Sequence, residues 1–89
     1  MAEITLLINN KVGLHARPAA LFVQTASKFK SAITVKNGDA SANAKSILNV
    51  LTLGVVSGTV ITVTAEGEDA HQALEALVKL NAANFGESA

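Results

Sequence analysis

The repeat distance between apolar side chains switches back and forth between two and about 3.6 residues along this chain, and no other feature constrains its fold so strongly. Ile4, Leu6 and Ile8 alternate with Glu3, Thr5 and Leu7, which predicts a strand with one buried face. The run NNKVG that follows reads as a loop. From about residue 16 the period lengthens. Ala19, Phe22, Val23, Ala26 and Phe29 form one stripe, predicting a first helix that ends near Phe29. Ile33 and Val35 then alternate with Thr34 and Lys36, and Asn37-Gly38 suits the positive φ angles of a hairpin turn. The return strand, near residues 40–43, is poor in apolar residues and is expected at an edge.

The run SILNVLTLGV fits either a buried strand or a short helix by periodicity alone. Ser46 as an N-cap and Gly54 as a terminator favour the helix. GTVITVTAEG is the clearest strand, with Ile61, Val63 and Ala65 on one face and Val60, Thr62 and Thr64 on the other, and is expected at the centre. Asp69 with Gln72 three residues later fits a capping pattern. Ala73, Leu74, Leu77 and Leu80 then line a last helix expected to reach Phe85 and stop at Gly86. Strand, helix, strand, strand, helix, strand, helix is the order of an α+β sandwich, with helices covering one face of a mostly antiparallel sheet.

A chain of 89 residues, 49% of them hydrophobic, suits one domain over residues 1–89 and is too small to enclose a deep cavity, so any chemistry is expected at the surface. There is no cysteine, no leader pattern and no long apolar run, which suggests a cytoplasmic protein without membrane insertion. The formal net charge is zero. Lys11, Arg17, Lys28, Lys30, Lys36 and Lys45 nonetheless outnumber Glu3 and Asp39 in residues 1–45, and carboxylates dominate the remainder. A basic half of this kind attracts acidic protein surfaces or phosphate if it clusters in space. Nucleic-acid binding is disfavoured by the zero net charge and by aromatics limited to Phe22, Phe29 and Phe85. No metal or cofactor pattern is present, and His71 is expected to be a solvated residue without a role.

GLHARPAA, residues 13–20, departs from this ordinary pattern. Gly13 permits a sharp turn, and Pro18 is tolerated only in the first turn of a helix, so His15 is expected at the helix start. Unpaired N–H groups and the positive end of the helix dipole there favour an anion by about 0.3 to 1 kcal/mol. A neutral imidazole is a nucleophile, and Arg17 is a permanent cation two residues away. The combination suits a histidine that accepts a phosphoryl group and holds it in the open.

Two separated motifs carry a resemblance that spans nearly the whole chain. GLHARPAALFVQTASKF, residues 13–29, and NAKSILNVLTLGV, residues 43–55, resemble the two signatures of the HPr family, the histidine phosphocarriers of the phosphoenolpyruvate:sugar phosphotransferase system. VTAEGEDAHQAL continues the likeness. The resemblance implies an open-faced β-sandwich of four antiparallel strands under three helices. It implies that enzyme I phosphorylates His15 at Nδ1, that Arg17 stabilises the phosphate, and that enzyme IIA components remove the group. Ala16, Ala20, Ile47, Leu48 and Leu51 map to the family's partner surface, while Val50 and Leu53 are expected in the core. Ser46 matches the serine that a dedicated kinase phosphorylates in some members, with a kinase/phosphorylase and a transcriptional regulator as further partners. A carrier of this family is a substrate and donor, not an enzyme, needs no cofactor and is expected to be monomeric. The alternative is a regulatory binding module signalling through His15 or Ser46. Val12 stands where a small polar residue is frequent, and Asn49 and Thr52 replace the Gly and Ser usual in the serine-regulated branch.

Overall fold

Residues 1–86 are described by a computed structural model, in which the segments of period two become strands β1 (Ala2–Ile8), β2 (Ala32–Asn37), β3 (Ala40–Asn43) and β4 (Thr59–Glu66). The segments of helical period become α1 (Arg17–Ser27), α2 (Ile47–Thr52) and α3 (Ala70–Ala82). The strands form one antiparallel sheet in the order β1-β4-β2-β3. GTVITVTAEG is central, as its β-branched alternation predicts: β4 pairs with β1 from Ala2↔Ala65 to Ile8↔Thr59 and with β2 from Ala32↔Glu66 to Lys36↔Thr62. The apolar-poor β3 lies at an edge.

The connections follow from this order. β1 and β2 run parallel with β4 inserted between them, so α1 crosses over the sheet, and α2 makes the equivalent crossing from β3 to β4. Both helices, with α3, lie on one face, where Leu6, Ile8, Ile33, Val35, Ile61, Val63 and Ala65 meet Phe22 of α1, Val50 of α2 and Leu77 of α3. Burying each large apolar side chain contributes roughly 1.5–3 kcal/mol before chain entropy is counted. The opposite face carries Glu3, Thr5 and Leu7 exposed, with Thr34, Thr62 and Thr64 half-buried, and no helix among the described residues packs on it.

Four local expectations are corrected. The hairpin turn is Gly38-Asp39, one residue later than the Asn37-Gly38 of the sequence reading, because Asn37 still pairs with Ala40. Only Gly38 of the pair has positive φ, the pattern of a turn with glycine at its first central position. Helix α1 ends at Ser27 and not near Phe29, whose N–H closes a turn onto the Ala26 carbonyl (3.2 Å).

Helix α3 ends at Ala82, before Phe85. Asn84 and Phe85 take φ of 52° and 54°, which stops the helix and turns the Phe85 ring into the core at 1% exposure. Ring burial, worth about 2–3 kcal/mol, offsets a left-handed backbone that costs roughly 1–2 kcal/mol per residue and less at asparagine.

The fourth correction concerns Asp69. It occupies the N-cap position of α3 but makes no side-chain bond to its own helix. Its carboxylate instead accepts the N–H groups of Lys30 (2.8 Å) and Ser31 (2.9 Å) and the buried hydroxyl of Ser31. One side chain thereby ties the start of α3 to the α1–β2 junction. The Ser31 hydroxyl, then the Lys30 N–H, hold the Asp69 carboxyl below its usual value of 3.8, against a smaller opposing effect of desolvation. A depressed folded pKa stabilises the fold above the unfolded value and ceases to do so as pH falls through the folded one. Asp69→Asn is therefore expected to lower Tm at pH 7. In melting curves from pH 7 to pH 2, the gap to the wild type should narrow only below about pH 4.

Candidate functional site

The start of α1 is built without a side-chain cap. Its N-cap position is Ala16, and no acidic residue lies in its first turn. Pro18 sits in that turn, as expected, where its missing N–H disturbs no helical bond. The positive end of α1 thus stands beside exposed His15 and Arg17, with no acidic residue in its own first turn. The charge pattern suits a transient anion, because no carboxylate within that first turn competes for the N–H groups.

The loop before it is fixed by backbone contacts and by the side chain of Asn10. Buried Asn10 donates from Nδ2 to the Gly13 carbonyl (2.9 Å), and the Gly13 N–H returns a bond to the Asn10 carbonyl (3.3 Å). The Leu14 N–H then donates to the Val55 carbonyl (3.0 Å) while its side chain is buried. Gly13, at φ 67°, lies so close to the segment entering β4 that a Cβ would stand 2.3 Å from the Val55 oxygen and 2.7 Å from Val56 Cα. The sequence reading assigned Gly13 a turn. Its second task, allowing this close approach, depends on a partner more than forty residues away and has no local signal.

Ala16 carries strain that the sequence also hides. Its φ of 53° with ψ of −127° is a conformation favoured by glycine, and it lies between the histidine and the arginine. The residues assigned to the partner surface are accessible together with them: Ala16 is exposed, Ala20 is half-buried, and α1 packs on α2. On α2, Ile47, Leu48 and Leu51 are 37%, 73% and 36% exposed, while Val50 and Leu53 are buried. A two-turn helix shows one aliphatic face outward, as expected.

Ser46 caps α2, with its Oγ accepting the Asn49 N–H at a long 3.4 Å. The two residues that depart from the serine-regulated pattern are linked locally, the Thr52 hydroxyl donating to the Asn49 carbonyl (2.6 Å). Lys45, counted in the basic half, is partly committed to structure through Nζ on the Phe29 carbonyl (2.6 Å). His71 is exposed on α3, and no metal-binding group of His, Cys, Asp and Glu occurs among the described residues. Grooves of about 540 and 240 Å³, one beside β2 and β3 and one between Phe29 and α3, are lined by neither His15 nor Arg17.

Comparison with known proteins agrees with this geometry. A family model for the PTS HPr component phosphorylation site matches residues 2–83. The phosphocarrier protein HPr of Xylella fastidiosa strain 9a5c is 47% identical over 87 residues, 98% of each chain. The HPr-like protein Crh of Halalkalibacterium halodurans is 45% identical over 78 residues, 88% of this chain and 93% of that protein. The crystal structure of HPr-C-His from Thermoanaerobacter tengcongensis matches with a TM-score of 0.97 and 54% identity over 100% of both chains.

Two substitutions near the histidine are expected to act in opposite directions. Gly13→Ala combines a left-handed alanine with a clash against backbone and should cost about 3 kcal/mol, lowering Tm by roughly 10–20 °C. Ala16→Gly removes strain at a small cost in unfolded-state entropy and should stabilise by roughly 1 kcal/mol. Urea denaturation of both variants measures the two signs.

Proposed function

The chain belongs to the HPr family and is a phosphocarrier of the phosphotransferase system, and we propose that His15 is the residue that carries the phosphoryl group. The observation that supports this most is an exposed imidazole at an uncapped, acid-free helix start, beside an exposed guanidinium. Enzyme I, charged from phosphoenolpyruvate, presents its own phosphohistidine. The Nδ1 lone pair of His15 attacks phosphorus in line, and the new N–P bond forms as the donor N–P bond breaks, its electron pair returning to the donor imidazole. Transfer to the histidine of an enzyme IIA component repeats the step with the roles exchanged.

Arg17 and the N–H groups of α1 hold the phosphoryl oxygens during this residence. Ala16, Ala20, Ile47, Leu48 and Leu51 form the face on which both partners dock. The chain acts as substrate and donor and has no catalytic cycle of its own, a reading that suits an open histidine lying outside the two grooves. It works as a single-domain monomer in the cytoplasm, and no helix among the described residues is long and apolar enough to cross a membrane.

A second reading is favoured by the likeness to an HPr-like protein Crh: a regulatory module signalling to transcription factors or metabolic enzymes through His15 or Ser46. In both readings Ser46 is the residue a serine kinase would modify. A phosphate there meets no acidic group in the first turn of α2 and adds negative charge beside the docking face.

Intact-protein mass spectrometry after incubation with phosphoenolpyruvate and enzyme I should show one added phosphoryl group, lost in acid and absent from His15→Ala. Arg17→Ala should keep the fold and slow transfer by at least about tenfold in rapid-quench kinetics. Ser46→Asp should weaken acceptance from enzyme I, and unchanged kinetics would remove Ser46 from regulation.

A further inference from the structure

The fold buries two polar side chains among the described residues, Ser31 and Asn10. Ser31 is answered by Asp69 in the tie between α3 and the α1–β2 junction. Asn10, 3% exposed, directs its amide at one atom of the loop before α1, the Gly13 carbonyl, to which Nδ2 donates (2.9 Å). That carbonyl belongs to the peptide group joining Gly13 to Leu14, and the other end of the same group, the Leu14 N–H, donates to the Val55 carbonyl (3.0 Å). One peptide plane is thus held at both ends. The buried Leu14 side chain fixes the next bond of the chain, and His15, Ala16 and Arg17 follow at once, all exposed.

The backbone of the loop closes without this amide. The Gly13 N–H reaches the Asn10 carbonyl (3.3 Å), the Gly58 N–H reaches the Ile8 carbonyl (2.7 Å), and the Leu14 N–H already has its partner. What the amide adds is the direction of a single buried carbonyl. Without a donor such a carbonyl turns toward water, and the rotation carries Leu14 and the backbone of His15 with it. Transfer chemistry is sensitive at this scale, since a misplacement of about 1 Å costs on the order of a hundredfold in rate. Asn10 is too buried to touch a docked protein, so its influence falls on the transfer step and not on docking.

We propose that Asn10 is a positioning residue for phosphoryl transfer: through the Gly13 carbonyl it fixes the peptide plane before Leu14, and so sets the direction from which the His15 imidazole meets phosphorus. The proposal rests on the reading of His15 as the phosphoryl carrier. Asn10 touches neither enzyme I nor the phosphoryl group and acts only through the backbone of residues 13–15.

Asn10→Asp keeps the shape and replaces the donor by an acceptor, and Asn10→Ala removes the amide altogether. With phosphoenolpyruvate and enzyme I, both variants should accept the phosphoryl group about tenfold more slowly in rapid-quench kinetics at saturating carrier, with KM within about twofold of the wild type. Lower pH should restore Asn10→Asp alone, because a protonated carboxyl again donates to the Gly13 carbonyl, and burial raises the pH at which it protonates. From about pH 7.5 to about pH 5.5 the ratio of its rate to that of the wild type should climb, while the Asn10→Ala ratio stays flat. The other ionisable groups of the loop, Lys11, His15 and Arg17, are common to all three proteins, and residues 55–59 packed against it have none. A lowered Tm with a wild-type rate, or a slow Asn10→Asp that no pH restores, would overturn the positioning role. Should neither variant fold, wild-type hydrogen exchange decides: the Asn10 side-chain amide and the Leu14 N–H should exchange as slowly in the phosphorylated protein as in the free one, and faster exchange after phosphorylation would overturn the proposal. No phosphoryl uptake by the wild type would bring down the His15 reading and this proposal with it, whereas normal uptake with unimpaired variants overturns this proposal alone.

Discussion

The structure depends on one requirement above the rest: β4 must be hydrogen-bonded on both sides at once. Its N–H and C=O groups have no alternative partner once Ile61, Val63 and Ala65 are buried against the helices, and leaving such a group unpaired costs on the order of 1–3 kcal/mol. Pairing with β1 and β2 settles this and also sets where the crossover helices lie. The segment entering β4 carries the effect into the site, because the Val55 carbonyl takes the Leu14 N–H and its backbone leaves room at residue 13 for hydrogen alone. The strand that completes the sheet therefore also holds the loop of His15.

Much of this was legible because it rests on periodicity, which is local. The alternation in GTVITVTAEG gave a central strand, and the stripe through Ala19, Phe22 and Ala26 gave the buried face of α1. Ile47, Leu48 and Leu51 stay accessible while Val50 and Leu53 are covered, since so short a helix can bury only one side. Several of the departures involve a residue answering to something distant in sequence. Asp69 looks like a cap for its own helix but binds Lys30 and Ser31, which offer two N–H groups and a hydroxyl in converging directions. Phe85 leaves the helical path because the core has space for its ring. Lys45 serves the Phe29 carbonyl. The hairpin turn moved by one residue because Asn37 pairs with Ala40 and leaves glycine to begin the turn.

The candidate site was legible as residues and not as geometry. The order of His15, Arg17 and Pro18 locates a helix start, yet nothing in the sequence marks Ala16 as strained or Gly13 as pressed against a later segment. The two features have a common physical origin. A chain leaving an edge strand must reverse, meet the loop before β4 and begin a helix within residues 9–17, and that short path is closed by backbone contacts together with the buried side chains of Asn10 and Leu14. The result leaves the histidine accessible on a stiff support, which suits a group that must be approached by different proteins in turn.

The interleaved strand order also governs when this protein can become itself during synthesis. Ala2 sits opposite Ala65, so the first strand made waits for the last before it has a partner. Until then the ribosome has released two helices and a hairpin whose apolar faces have only a partial sheet to cover, the non-local topology that slows folding. The loop bearing His15 emerges early but cannot take its final shape before residue 55 is out. A truncated or stalled chain therefore lacks the ordered loop, and the nascent protein stays outside phosphoryl traffic until its fold is nearly complete.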